Sequence, residues 1–261
     1  MSIIEVISGA ANWTVETGPW QQYADQLTDA VDHVIADPPY DQRTSENMRT
    51  VRLGPDERSI EFDGIPSEPE VAQFALGAAK RWVVLFCALR QLGAYASAAG
   101  RAHVRDTVWV RSRPMPQLTG DRPAQAADGI SILHRPGRKR WNGGGCAAWY
   151  YGDTDRELSR ELHATPKPVW LIMQLIEEFT DPGDLILDPF GGTGTTGVAA
   201  LRLGRRAIII ERNPEYAALC RERLAAESQG LSLAAARSGQ LSLLGQGHTV
   251  AAQPSLFGGT P

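Results

Sequence analysis

Cysteine is scarce in this chain. The three present, Cys87, Cys146 and Cys220, lie far apart and form no Cys-x-x-Cys pair. That argues against a disulfide framework and against a zinc site, and it fits a reducing cytoplasm. Positive charge is not in excess either: 26 Lys and Arg stand against 30 Asp and Glu, a formal net charge of -4. The chain as a whole is no polycation, so any nucleic-acid binding must come from a local basic surface. Long apolar runs are missing too. The longest, Trp82–Leu89, is far too short to span a bilayer. Met1–Glu5 has neither the basic region nor the apolar core of a secretory signal. No solenoid-type repeat is present. A soluble cytoplasmic protein is expected.

What is present is ordinary globular material, 43% hydrophobic and 21% charged over 261 residues. That is enough for one sizeable α/β domain or two small ones. Periodicity predicts strands at Ile3–Ile7, Val31–Ala36, Trp82–Cys87, His103–Val110, Leu185–Leu187 and Ala207–Glu211. Gly129–His134 is expected to return beside His103–Val110 as an antiparallel edge hairpin. Helices are expected over Trp20–Leu27, Glu70–Lys80, Leu89–Ala99, Pro168–Phe179, Thr195–Leu203 and Pro214–Ala226. Strands alternating with helices imply right-handed crossovers and a mostly parallel twisted sheet. Residues 41–68 read as a long polar loop, and a loop of that length in a compact domain is usually functional or mobile.

Two short motifs carry chemistry, and each ends a predicted strand. Asp37-Pro38-Pro39-Tyr40 comes first. Asp188-Pro189-Phe190-Gly191-Gly192-Thr193-Gly194-Thr195-Thr196 follows far downstream. Ligands of parallel α/β sheets bind at the carboxyl ends of strands. Glycines at 191, 192 and 194 let a backbone approach a ligand closely. The next strand ends at Glu211, where a carboxylate can accept from ribose hydroxyls. Asp37 and the Pro38 carbonyl can each accept a hydrogen from an exocyclic amine, and the two prolines stiffen the turn that presents them. Tyr40 offers a face on which an extruded base can stack. Either motif alone is equally a structural turn; the two together point to a cofactor site beside a reaction site.

This pairing resembles the S-adenosylmethionine-dependent DNA amino-methyltransferases. With the catalytic motif first, it resembles their permuted β-class branch, over about residues 1–227. The resemblance implies a Rossmann-like methyltransferase domain, S-adenosylmethionine as cofactor, double-stranded DNA as substrate and base flipping. It implies catalytic roles for Asp37, Pro38, Pro39 and Tyr40, and adenine N6 as target, since cytosine N4 enzymes more often carry Ser in place of the aspartate. Cofactor contacts fall on Asp37, Asp188, Pro189, Phe190, Gly191, Gly192, Thr193, Gly194, Thr195, Glu211, Arg212 and Asn213. His163-Ala164-Thr165-Pro166-Lys167-Pro168 is similar to the family's HPTQKP element, which adds His163, Thr165 and Lys167, with departures at Ala164 and Pro166. The family's acidic residue after the first strand is missing from Ser8-Gly9-Ala10-Ala11-Asn12. Backbone groups, Asn12 or Phe190 would then hold the cofactor adenine.

DNA recognition is assigned to residues 112–162 in this branch. A basic run from Arg101 to Trp141 overlaps it, holding Arg101, Arg105, Arg111, Arg113, Arg122, Arg135, Arg138, Lys139 and Arg140 against Asp106, Asp121 and Asp128. Arg122, Arg138, Lys139, Arg140, Trp141 and Asn142 are the candidate DNA contacts, with Arg43 on a loop that would close over the base. No metal is needed. The alternatives are cytosine N4 methylation, adenine methylation of RNA, and a DNA-binding regulator without catalysis. A homodimer and a nucleoid-associated location follow from the resemblance. Residues 228–261 read as a flexible tail. Within it, Gln240-Leu241-Ser242-Leu243-Leu244 and Gln253-Pro254-Ser255-Leu256-Phe257 look like peptides that dock on the sliding clamp.

Overall fold

The computed structural model describes residues 1–40, 66–114, 116–154 and 167–239. Arg43, His163, Thr165 and both clamp-like peptides therefore lie outside the described residues. In chain order the elements are α1 (Ile3–Ile7), β1 (Trp13–Thr17), α2 (Ala24–Leu27), β2 (His33–Ala36), α3 (Glu68–Ala78), β3 (Trp82–Cys87), α4 (Leu92–Ala99), β4 (His103–Val110), β5 (Ala127–His134), β6 (Trp149–Tyr151), α5 (Val169–Phe179), β7 (Leu185–Asp188), α6 (Thr195–Arg202), β8 (Arg206–Glu211), α7 (Pro214–Ser228) and α8 (Leu233–Arg237).

These strands form one eight-stranded sheet in the order β1-β8-β7-β2-β3-β5-β4-β6. Every pairing is parallel except the two that β5 makes, with β3 and with β4. Counted from β7 as first strand through β8, β1, β2 and β3, the parallel part reads 3-2-1-4-5, the doubly wound order. Its switch point lies between β7 and β2, which pair His33 with Ile186 and Val34 with Leu187. This is a Rossmann-like sheet whose halves are joined in permuted order.

Both faces are covered, so the central strands read as continuous apolar runs. Alternation sends Trp82, Val84 and Phe86 of β3 to one core with α5, α6 and α7. Val83, Leu85 and Cys87 go to the other core with α1–α4. β8 divides the same way, Ala207 and Ile209 against Ile208 and Ile210.

Three local expectations are corrected. Ile3–Ile7 is a helix: Ser2 and Glu5 form a capping box, and Ile3 and Val6 bury one side of the turn. The first strand is instead Trp13–Thr17, on the edge beside β8. The β4–β5 hairpin lies one strand in from the opposite edge, because the three-residue β6 adds outside it. Part of the expected tail is ordered: Ser232 caps α8, and Arg237 pairs with Glu222 of α7 at 2.8 Å.

A polar knot ties the amino ends of the central strands. The Trp82 N–H donates to Nδ1 of the buried His33, leaving Nε2 to meet Asp184 at 2.9 Å. Arg81 reaches the same carboxylate at 2.6 Å. Burial pushes the Asp184 carboxyl up, but its hydrogen bonds to His33 and the Asp181 N–H, with the charge of Arg81, outweigh that and hold it at about 2. Because this pKa is depressed, the stability it contributes is complete above the ordinary value of 3.8 and is lost as pH falls toward about 2. Asp184→Asn should therefore melt below wild type at neutral pH, and the gap should close between pH 4 and pH 2. Melting curves across that range check it; a gap independent of pH would contradict it.

Candidate functional site

The parallel pairing of β2 with β7 sets the Asp37–Tyr40 turn and the Asp188–Thr196 turn side by side at the carboxyl ends of the strands. Glu211 arrives at the same edge from β8, which pairs with β7 up to Asp188↔Ile209. Three of the site's carboxylates thus come from three adjacent strands.

The glycine turn is shaped from within. A methyl group on Gly191 would stand 2.1 Å from Ile209 Cγ2 and 3.3 Å from the Ile210 carbonyl, so close packing on β8 demands glycine there. Gly194, at φ +86, precedes α6 in the left-handed region with Cys220 against it. Gly192 differs: it has φ +50, and nothing lies within 4 Å of where its Cβ would be. It is the glycine whose free side faces open space.

Three side chains, Asp188, Glu211 and Arg223, fasten the turn. Asp188 is buried and accepts from the Phe190 N–H at 3.0 Å and the Thr196 hydroxyl at 2.6 Å. Burial, with some push from Asp37 and Glu211, moves its carboxyl up to about 7 against those two hydrogen bonds. Glu211 accepts from the Gly192 N–H and the Asn213 N–H, each at 2.7 Å, and burial raises its pKa as well. Asn213 caps α7, and Arg212 is exposed. Arg223 of α7, buried and with its pKa lowered by that burial, donates to the Thr193 carbonyl at 2.6 Å. Thr195 and Pro189 are buried in the turn.

At the other turn, Lys167 donates to Asp37 Oδ2 at 2.5 Å. Its ammonium also lies 5.2 Å from the Tyr40 ring centroid, 5.1 Å from that of Phe86 and 3.8 Å from Asp128 Oδ2. Arg111 holds Asp128 at 2.6 Å and stacks over Trp109 at 4.6 Å. Asp37 Oδ1 and the Tyr40 hydroxyl are out of solvent with no hydrogen-bond partner among the described residues. Burial, then the nearby Asp37 and Asp128, push the Tyr40 phenol well above its usual range.

Several sequence-predicted residues do not join the site. β5 runs against its neighbours, so the chain leaves His134 at the amino ends of the strands. Arg138–Asn142 follow it there, opposite Asp37. Arg138 and Lys139 are exposed at that end. Arg140 pairs with Asp181 at 2.9 Å, and Trp141 packs on Phe179 at 4.9 Å between ring centroids. Asn142 donates to the Thr180 carbonyl at 2.9 Å, capping the end of α5. Asn12 lies at the amino end as well, its carbonyl taking the Ala207 N–H. Directly after the true first strand stand Gly18, Pro19 and Trp20, so an acid is missing there too. Arg111, Arg113 and Arg122 are on the carboxyl side, in the loop joining β4 to β5. Asp128, Arg111 and Arg223 had been passed over as site residues. The acid in second place on β5, opposite Trp109 near the end of β4, was the available signal.

Residues 138–222 match a family model, N6_N4_Mtase, described as DNA methylase. Among curated proteins the chain is similar to the type II methyltransferase M2.DpnII of Streptococcus pneumoniae, 52% identical over 67 residues, covering 26% of this chain and 25% of that one. It is also similar to the type II methyltransferase M.XycI of Xanthomonas campestris pv. cyanopsidis, 31% identical over 139 residues, covering 48% and 45%. The chain thus spans less than half the length of these curated relatives. The crystal structure of an M1.HpyAVI–SAM complex superposes with a TM-score of 0.61 at 23% identity, over 81% of this chain and all of that one. The two share one fold, the Rossmann-like α/β sheet described above.

Two stability tests follow from this geometry. Gly191→Ala should lower the melting temperature sharply, whereas Gly192→Ala should cost only its left-handed strain, about 1–2 kcal/mol. Asp188 has a raised pKa, so its stabilising share is whole below 3.8 and is lost as pH rises through about 7. Asp188→Asn, which stays neutral, should gain on wild type as pH goes from 4 to 8. Denaturant titrations at both pH values check this; a constant difference would contradict it.

Proposed function

We propose that this chain is a DNA amino-methyltransferase that acts on adenine N6 in double-stranded DNA by base flipping. Its methyl donor would be S-adenosylmethionine. The observation that carries the reading is the adjacency of Asp37 and the glycine turn at the sheet's switch point. The matched relatives are named type II methyltransferases, and the matched family model bears a name covering both N6 and N4 chemistry.

The cofactor fits the residues present. Gly192 leaves its outer side open, and each Glu211 oxygen, holding one backbone N–H, keeps lone-pair capacity for a ribose hydroxyl. When bound, the cofactor supplies an electrophilic methyl group on a sulfonium. The chain's part is positioning. An adenine N6 lone pair is delocalised into the ring, so the nitrogen must be drawn toward tetrahedral geometry. Asp37, on a turn stiffened by Pro38 and Pro39, is placed to accept one amino hydrogen, and the Pro38 carbonyl another. Tyr40 stacks the extruded base, and proximity in line with the donor supplies much of the rest.

DNA then approaches from the carboxyl ends, where the β4–β5 loop carries Arg113 and Arg122. Arg138, Lys139 and Arg140 point the other way and are not the contacts in this reading.

Purified protein, labelled S-adenosylmethionine and unmodified bacterial DNA test the activity. Asp37→Ala should lower transfer by about 100-fold or more while the fold persists. Nucleoside analysis of the product should give N6-methyladenine; N4-methylcytosine would move the target, and no product at all would sink the reading. By isothermal titration, Glu211→Ala and Gly192→Val should each weaken cofactor binding; unchanged affinity in both places the cofactor elsewhere. Charge reversal of Arg113 and Arg122 should weaken DNA binding more than reversal of Arg138 and Lys139, and the opposite ranking would restore the 138–142 segment as the interface.

A further inference from the structure

Lys167 stands where a target base would have to go. Its ammonium donates to Asp37 Oδ2 at 2.5 Å, the acceptor that the proposed chemistry reserves for the exocyclic amine. It also covers the Tyr40 ring at 5.2 Å, the face on which the base would stack. The other Asp37 oxygen, Oδ1, is out of solvent and lacks a partner among the described residues, so the acceptor set is still short of a donor.

A base cannot simply push this ammonium away. The Lys167 side chain is only 12% exposed, and stranding a buried cation without a partner is strongly unfavourable. A second carboxylate is within reach. Asp128 Oδ2 lies 3.8 Å from Lys167 Nζ, and its side chain is 8% exposed. A shift of about 1 Å would bring that pair to ordinary hydrogen-bond distance. Asp128 is itself held, since Arg111 donates to the same oxygen at 2.6 Å while its guanidinium stacks on Trp109.

We propose that Lys167 is a two-position gate. With no base in the site it rests on Asp37 and Tyr40. When a base is flipped in, the ammonium transfers to Asp128, and Asp37 is released to take the amine. Asp128, aligned by Arg111, is thus a positioning residue that acts through Lys167. This rests on the amino-methyltransferase reading above, and it assigns Lys167 to the base rather than to the methionine end of the cofactor.

The test combines Asp128→Asn, Asp128→Glu and Lys167→Met. Steady-state methyl transfer to DNA is measured for each, with cofactor affinity by titration and thermal melts to confirm folding. Asp128→Asn should lower kcat/KM for DNA about tenfold. Cofactor affinity should stay within about twofold, because the gate acts on the base. Asp128→Glu should restore most of the loss. Added to Lys167→Met, Asp128→Asn should cost nothing further, since the group it receives is gone. Wild-type kcat/KM in Asp128→Asn would overturn the gate. So would a loss that persists unchanged beside Lys167→Met, or one matched by an equal loss of cofactor affinity. Failure of the wild-type protein to methylate any DNA would instead overturn the functional reading beneath it.

Discussion

Everything at the site depends on one contact: the parallel pairing of β7 with β2. It joins two strands that lie far apart in the chain and brings both carboxyl ends to one edge. The backbone ladder positions the main chain only; the two turns then differ by what their side chains permit. At β7, glycine and buried polar ties build a rigid bed with one open side. At β2, two prolines hold a carboxylate and an aromatic ring upright. Ligands of such sheets sit at the switch point, so this junction is where they are expected.

Much of the glycine turn's rigidity is polar and buried. Asp188, Glu211 and Arg223 each satisfy backbone or hydroxyl groups that a tight turn would otherwise orphan. Burying carboxyl groups carries a cost, visible in the raised pKa of Asp188 and of Glu211. The Lys167 cage is the counterpart at the other turn, a cation between two acids and two rings.

The central strand Trp82–Cys87 was legible because it is short, apolar and buried on both faces, and the half-exposed His103–Val110 because it alternates; both come out with the bounds expected. Capped helices such as α7, with Asn213 and Pro214 at its start, were legible for a local reason as well. The edges were not. Trp13–Thr17 mixes polar and apolar residues because one side meets solvent, and Ile3–Ile7 reads as β until the Ser2–Glu5 capping box is weighed. The motif residues could be placed in the site from sequence because they adjoin strand ends. Arg138–Asn142 could not, because a basic run carries no information on which end of the sheet it reaches. Only the reversed direction of β5 decides that. Asp128 and Arg111 were missed for the mirror reason: the same hairpin brings them to the site, and no local pattern announces it.

The central claim is that the two turns form a single cofactor-and-base cleft. Amide hydrogen exchange of the protein with and without S-adenosylmethionine tests it most directly. The account predicts slowed exchange at 190–194 and 211–213 together with the Asp37–Tyr40 turn, and no change across 138–142. Protection confined to one turn, or centred on the amino ends of the strands, would contradict it.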